Sequence, residues 1–441
     1  MACVALWALC SHAQAQNFSA LRSSVVRAKL PNGLDVVILP DRDVPNVALT
    51  LWYRVGSRNE GPGRTGLSHF FEHMMFNGAK KYGPGEFDRV MEAAGGSNNA
   101  FTSSDVTVYQ DWFPSSALRL ILEMEADRMR GLVLTPEKIE SERGVVYSER
   151  RTSVDGSPAA LLDEQVRAAA FVAHPYGIPT IGWPGDIESW TREDLQRHYE
   201  TFYAPNNATI VLVGDVDPAS ALSRMRQTVG RVPRGPALPR VGSTEPPQTG
   251  ERRVIVKGQG QLSLVELAYR APAATSEQFP AMELADSILT EGFSSRLWRR
   301  LVEEERVAVS VSGSADEGFD PGLYTLHITV SPEATPERVI ELATAVIEEL
   351  RSTGPTEDEL SKARRQRLMA HYQAVQTISG MSVALGAYEL FRGGADRVFD
   401  AESELNEVTA EQVKAVLASF GVDNRTVGIF LPSEDDDAQS P

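Results

Sequence analysis

The sequence predicts a globular chain of two tandem halves, each mixing strands with helices. Three observations point there. At 441 residues the chain is too long for one ordinary core and suits two domains of about 200 residues each. In both halves, runs that alternate apolar and polar residues are interleaved with runs of helical period. Between the halves lies VPRGPALPRVGSTEPPQTG, rich in Pro and Gly and without apolar period, which reads as a linker over 233–250. Hydrophobic content of 42% and charged content of 23% suit packed cores, and no apolar run of the mature chain is long enough to span a bilayer. The formal net charge of −17 argues against a nucleic-acid partner, which would call for clustered Lys and Arg.

The chain begins with ACVALWALCSHAQAQ, an apolar run followed by the small-residue pattern Ala13-Gln14-Ala15, so residues 1–15 read as a secretory signal. Its basic leader is missing, and the expectation is a true start further upstream. Cys3 and Cys10 both fall inside this segment, so a mature chain from about Gln16 has neither disulfides nor cysteine chemistry.

The first half is expected over 24–232. LPNGLDVVILPD and VPNVALTLWYRVG read as paired, half-buried strands around an Asn-Gly turn. GLSHFFEHMMFNG follows, then a helix at PGEFDRVMEAAG, two strands at GGSNNAFTSS and DVTVYQDWF, and a helical period in SSALRLILEMEADRMRG. Thr135-Pro136-Glu137 is a strong helix start, with a capping residue, proline in the first turn and an acid beside it. That helix carries Glu142 and Glu149, seven residues and two turns apart. Gly144 within it has no account from sequence. ATIVLVGDVDPASALSRM closes the half as strand, turn and helix. The second half, 251–432, starts again with strands at RRVIVKGQGQLSLVELAYR and a helix at SEQFPAMELADSILTEG, which suggests an internal duplication. Residues 433–441 read as an acidic disordered tail. Gly258-Gln259-Gly260 lacks the following helix and basic residue of a nucleotide loop, and His174, His198, His327 and His371 lack partners at ligand spacing.

In GLSHFFEHMMFNG, His69 and His73 stand four apart, so a helix points both imidazoles to one side, as two ligands of a zinc ion are usually presented. Glu72 flanks the same face and can take a proton from water. His-x-x-Glu-His is the inverzincin order. The plain alternative is an apolar core helix, built on Leu67, Phe70, Phe71, Met74 and Met75, that tolerates two histidines. A third ligand is needed, and a Glu on a charged helix is by itself usually a solvated face.

Taken with Glu142 and Glu149 about 75 residues later, and with GGSNNAFTSSDVTVY, ERGVVYSERR, HPYGIPTIGWPGDI, FYAPNNATIVLVGDVDP and GFSSRLWRRL in order, the motif resembles the pitrilysin and mitochondrial processing peptidase family of zinc peptidases. The resemblance implies an α+β fold of two tandem homologous domains, each a mostly antiparallel sheet covered by helices. It implies one zinc ion per chain on His69, His73 and Glu149, with Glu72 as general base and Glu142 as an acid that orients the site. Asn99, Ala100, Phe101 and Thr102 match the family's edge strand beside the metal, where an extended peptide can add by main-chain hydrogen bonds. The implied activity is endopeptidase hydrolysis of extended or unfolded peptides in a closed chamber by zinc-activated water. The expected compartment is the periplasm. The rival is a non-catalytic structural or assembly subunit of the same family, although such subunits typically lack part of the motif.

Longer relatives are expected to supply an Arg and a Tyr, seven residues apart, from a later domain. The matching segment here, Leu301 to Val309, has Val302 and Val309 in those places, and neither side chain can donate a hydrogen bond. The expected partner is therefore a metal-free homologous chain that supplies the Arg and Tyr in a heterodimer, or failing that a second copy of this chain.

Overall fold

The computed structural model describes residues 21–433. The signal-like stretch 1–15 and residues 434–441 of the acidic tail lie outside them. Helices of eight residues or more are numbered below. The first half runs β1 (Val26–Lys29), β2 (Asp35–Pro40), β3 (Asn46–Tyr53), α1 (Leu67–Met74), α2 (Glu86–Ala93), β4 (Ser97–Thr102), β5 (Thr107–Pro114), α3 (Leu118–Gly131), α4 (Pro136–Arg150), α5 (Pro158–Ala170), α6 (Arg192–Phe202), β6 (Ala208–Gly214) and α7 (Pro218–Gln227). The second half runs β7 (Arg252–Gly258), β8 (Leu264–Arg270), α8 (Phe279–Thr290), β9 (Ala308–Ala315), β10 (Leu323–Val330), α9 (Pro336–Thr353), α10 (Glu357–Ala374), α11 (Ile378–Phe391) and β11 (Arg425–Pro432). Residues 233–249 form no helix or strand.

Each half builds one sheet, ordered β1-β2-β6-β3-β5-β4 and β7-β11-β8-β10-β9. Apart from β1, the orders correspond strand for strand, with β2, β6, β3, β5 and β4 matching β7, β11, β8, β10 and β9. The fold is thus α+β and duplicated. The pairs β2–β6 and β7–β11 are parallel and the rest antiparallel.

The Asn32-Gly33 turn closes the β1–β2 hairpin, with Gly33 in the left-handed region. The two strands expected to pair across it, LPNGLDVVILPD and VPNVALTLWYRVG, do not pair with each other. β6 comes in from the end of the half and lies between β2 and β3. Its seven residues ATIVLVG are all buried, the pattern of a central strand. Nor is β3 half-buried, since seven of its eight residues are buried. Both faces of the sheet are covered.

The cover on the second face comes from the other half. Helix α11 lies across β3 and β6, where Met381, Leu385, Leu390 and Phe391 join Val37, Leu39, Trp52, Val108, Val211 and Val213 in one core. Reciprocally, α5 lies across β7, β11 and β8, packing Leu162, Val166 and Ala170 against Ala268, Leu323 and Phe430. Two glycines allow these approaches. A Cβ on Gly386 would stand 2.2 Å from Trp52 Nε1, and one on Gly428 would stand 2.3 Å from Val166 Cγ2. The halves are clasped by polar contacts as well. Arg58 bridges Asp105 at 2.6 Å and Asp320 at 2.8 Å, and Arg167 pairs with Asp316 at 2.6 Å. The cores at the inner faces of the two sheets are therefore joined by exchanged helices, which local sequence period does not reveal.

Candidate active site

Helix α1 is amphipathic for a simple reason. Leu67, Phe70, Phe71 and Met74 are buried in the first-half core, with Phe70 against Trp190 and Phe71 stacked on Tyr199. That orientation leaves His69 and His73 side by side on another face, ring centroids 4.8 Å apart. Helix α4 starts as its sequence predicts, Thr135 Oγ1 accepting from the amide of Lys138 with Pro136 in the first turn. Its buried residues Ile139, Glu142, Val146 and Arg150 face inward, and the helix crosses α1 so that both its acids reach the histidines. A side chain at Gly144 would meet open space, so packing gives no reason for that glycine.

The two acids grip His73 from both ring nitrogens. Glu142 Oε1 is 2.8 Å from Nδ1 and Glu149 Oε2 is 3.2 Å from Nε2. Glu149 Oε1 also lies 3.6 Å from His69 Nε2. Among the described residues, His69, His73 and Glu149 form the group of His, Cys, Asp or Glu donors close enough to hold one ion, their ligand atoms all within 4.8 Å of one another. Zinc–ligand bonds of about 2.0–2.1 Å in a tetrahedron place neighbouring donors about 3.3 Å apart, and the two Glu149 oxygens stand at 3.2 Å from His73 and 3.6 Å from His69, near that figure. Two imidazoles and a carboxylate gathered this closely are a donor set that suits a divalent ion such as zinc.

Around this core the structure adds support that sequence reading missed. Asn77 Nδ2 donates to Glu142 Oε2, and Lys138 Nζ donates to the Asn77 carbonyl at 2.9 Å, tying the loop after α1 to α4. Asn77 lies inside the quoted motif, but nothing about an Asn before Gly78 announces a partner 65 residues away. Burial disfavours a charged His73, yet the Glu142 hydrogen bond and the nearby carboxylates of Glu149 and Glu72 outweigh it and raise its pKa above the usual value. Burial would raise Glu142, but its bonds to His73 and Asn77 prevail and hold it low. Glu149 is held low first by its bond to His69, against the effect of burial. Both acids are thus ionised at neutral pH, the state that attracts a cation.

Glu72 faces β4, and Thr102 Oγ1 donates to its Oε2 at 2.7 Å. Among the described residues β4 pairs only with β5 and lies at the edge of its sheet. Asn99 and Phe101 are exposed on it, while Ala100 and Thr102 turn inward. Of the residues expected in the site, His69, His73, Glu142 and Glu149 come into direct contact, and Glu72 of the same helix is bonded to Thr102. Asn99, Ala100 and Phe101 continue along the edge strand.

The second half places other chemistry at the equivalent helices. α8 and α10 stand in its topology where α1 and α4 stand in the first, and they are joined by an ion pair between Glu283 and Arg367 at 3.1 Å. In the segment expected to align with the Arg and Tyr of longer relatives, Val302 packs against the second core and Val309 is exposed. Tyr324 is fully buried and bonded to Asp286.

Comparison with known proteins follows the same division. Residues 36–183 match the family model described as Insulinase (Peptidase family M16), and residues 189–367 match that of the Peptidase M16 inactive domain. In sequence the chain is 29% identical over 406 residues to the zinc protease PqqE of Helicobacter pylori, covering 91% of each. In structure it is similar to a protease from Helicobacter pylori, with a TM-score of 0.88 and 28% identity over 92% of this chain and 99% of that one. It is also similar in fold to the periplasmic protease PqqL of Escherichia coli, with a TM-score of 0.74 and 21% identity, covering 92% of this chain and 47% of that one. With the insulinase module falling on the half that gathers His69, His73 and Glu149, and the inactive module largely on the half that joins its helices by Glu283 and Arg367, the chain belongs to peptidase family M16.

Proposed function

We propose that this chain is the zinc-bearing subunit of an endopeptidase that cleaves extended peptides. The observation that carries the reading is the gathering of His69, His73 and Glu149, their ligand atoms all within 4.8 Å of one another, near a strand that is left at the sheet edge among the described residues. His69, His73 and Glu149 would hold the ion, which when bound supplies Lewis acidity at the scissile carbonyl and lowers the pKa of water. Glu72 takes the proton of the attacking water and delivers it to the leaving nitrogen. Thr102 occupies one oxygen of Glu72 and so fixes the carboxylate for that exchange. Glu142 holds the His73 tautomer by accepting from Nδ1–H, which leaves Nε2 free for the metal. The substrate lies along β4 as an added strand, held by its backbone rather than by its side chains. Names of similar proteins as zinc proteases support the chemistry, and the description of one as periplasmic supports an exported location.

Glu149→Gln is expected to weaken zinc binding at least tenfold or so, because a neutral amide is a poor ligand for a divalent ion. Metal content after dialysis against a graded chelator checks this, and occupancy equal to wild type would remove Glu149 from the ligand set.

The chain covers about half of the PqqL chain, and the side chains of Val302 and Val309 cannot donate hydrogen bonds to a peptide backbone. The active assembly proposed is therefore a heterodimer with a metal-free M16 chain. The purified chain is expected to show little turnover alone and to gain it on mixing with that partner. Full activity of the chain as monomer or homodimer would rule the heterodimer out.

A further inference from the structure

Helix α1 has only eight residues, and its N-cap, Gly66, provides no side-chain cap. A helix so short is not stable by itself, so its position is dictated by what holds its ends. The holder at its start is Glu60, which is buried in the loop ahead of it. Glu60 Oε2 accepts from the amide of Gly66 and Oε1 from the amide of Ser68, both at 2.6 Å. Burial pushes the Glu60 carboxyl up to about 8 against the lowering effect of its bonds from Ser68 and Gly66, and the positive pole of the helix favours its charged form. The neighbouring Thr65 is fixed just as firmly. Its amide and hydroxyl donate to Asp186 at 3.1 and 2.7 Å, its hydroxyl accepts from the Trp183 amide at 2.9 Å, and its carbonyl accepts from Trp190 Nε1 at 3.1 Å.

The same web reaches the other metal-bearing helix. Gly66 has φ +87°, and a Cβ there would stand 2.4 Å from the carbonyl oxygen of Ile181, so the start of α1 lies flush against residues 181–182. The Gly182 carbonyl in turn accepts from Arg150 Nη1 at 2.7 Å, and Arg150 follows Glu149 in α4. The beginning of α1 and the end of α4 are thus registered against one strip of backbone. His69 follows Ser68 directly, so a shift of α1 along or about its axis moves the imidazoles relative to Glu149. The loop that carries Glu60 is pinned by the Arg58 pairs with Asp105 of the first half and Asp320 of the second.

We propose that Glu60 is a positioning residue for the metal helix: by gripping the amides of Gly66 and Ser68, its buried carboxylate sets the axial position and rotation at which His69 and His73 meet Glu149. This rests on the reading of that group as a zinc site. Glu60→Gln loses the grip, because an amide offers one acceptor oxygen and turns an NH2 toward the second N–H. Supporting partners of metal ligands are typically worth about 10–100-fold in affinity, and a loss of that size is expected in Glu60→Gln by zinc competition with a chelator. The visible absorption band of the cobalt-substituted protein is expected to change in intensity, reporting altered ligand geometry. Glu60→Asp keeps the carboxylate at a shorter reach, and it is expected to hold zinc more tightly than Glu60→Gln and to restore the cobalt band in part.

The control is Val166→Ala on α5, which lowers melting temperature without touching α1. Zinc affinity and cobalt spectrum in Glu60→Gln no different from those of this control would overturn the proposal, as would Glu60→Asp losing zinc no less than Glu60→Gln. Should Glu60→Gln fail to fold, Glu60→Asp measured against the same control decides, and an unaltered affinity and cobalt band there overturns it. Wild-type protein that takes up no zinc, or His73→Ala that retains it, would instead show that the metal-site reading itself is wrong, and this inference with it.

Discussion

Glu72→Gln is expected to leave zinc content and melting temperature near wild type while lowering peptide hydrolysis by about 10²–10⁴-fold, the usual contribution of a positioned acid–base group. Glu72 is outside the proposed ligand set, so the amide removes no metal bond. The replacement has the same shape, and Thr102 Oγ1 can still donate to its oxygen, so the local fold is preserved. What disappears is the ability to accept and return a proton. Elemental analysis paired with turnover of an unfolded peptide, in the presence of the partner chain, separates the two effects. Loss of zinc would place Glu72 among the ligands, and turnover close to wild type would remove it from the mechanism. Wild-type protein that holds zinc yet cleaves nothing with or without a partner would favour the assembly-subunit alternative.

How much of this was legible before the structure depended on the range of the interaction. His69, Glu72 and His73 are written within five residues, and helical spacing alone puts the histidines together. The start of α4 was also local, because Thr135 and Pro136 carry capping chemistry that needs no distant partner. Glu149 was different. Nothing in its neighbourhood separates it from Glu140 or Glu137 on the same charged helix, and only the ordered family motifs singled it out. The misread pairing of β2 and β3 has a related cause, since the strand that divides them arrives about 150 residues later and its apolar run says central without saying where. Glu60 left no signal at all, since a lone acid between an Arg-Asn turn and a Gly-Pro-Gly stretch reads as solvated loop. Its role exists only where the chain returns to the amides of Gly66 and Ser68.

Residues 24–232 expressed alone are expected not to reach a stable fold, despite containing a complete sheet and every proposed metal ligand. Without α11, the sheet face formed by Val37, Leu39, Trp52, Val108, Val211 and Val213, each at most 2% exposed in the full chain, loses its cover. Burying side chains of this kind is worth about 1.5–3 kcal/mol each, so six of them amount to roughly 9–18 kcal/mol as an upper bound. A whole domain is typically stable by only about 5–15 kcal/mol, and the loss is of the same size. The fragment is expected to lack a cooperative thermal transition and to aggregate through the bared face. Co-expression with residues 251–432 is expected to rescue it, because α11 then returns to β3 and β6 while α5 returns to β7, β8 and β11. Circular dichroism melts and size-exclusion chromatography of the fragment, alone and co-expressed, check both outcomes. A fragment that melts cooperatively within a few degrees of the full chain would show that α11 is dispensable. If the fragment does depend on it, the two halves cannot part without baring the sheet that carries β4.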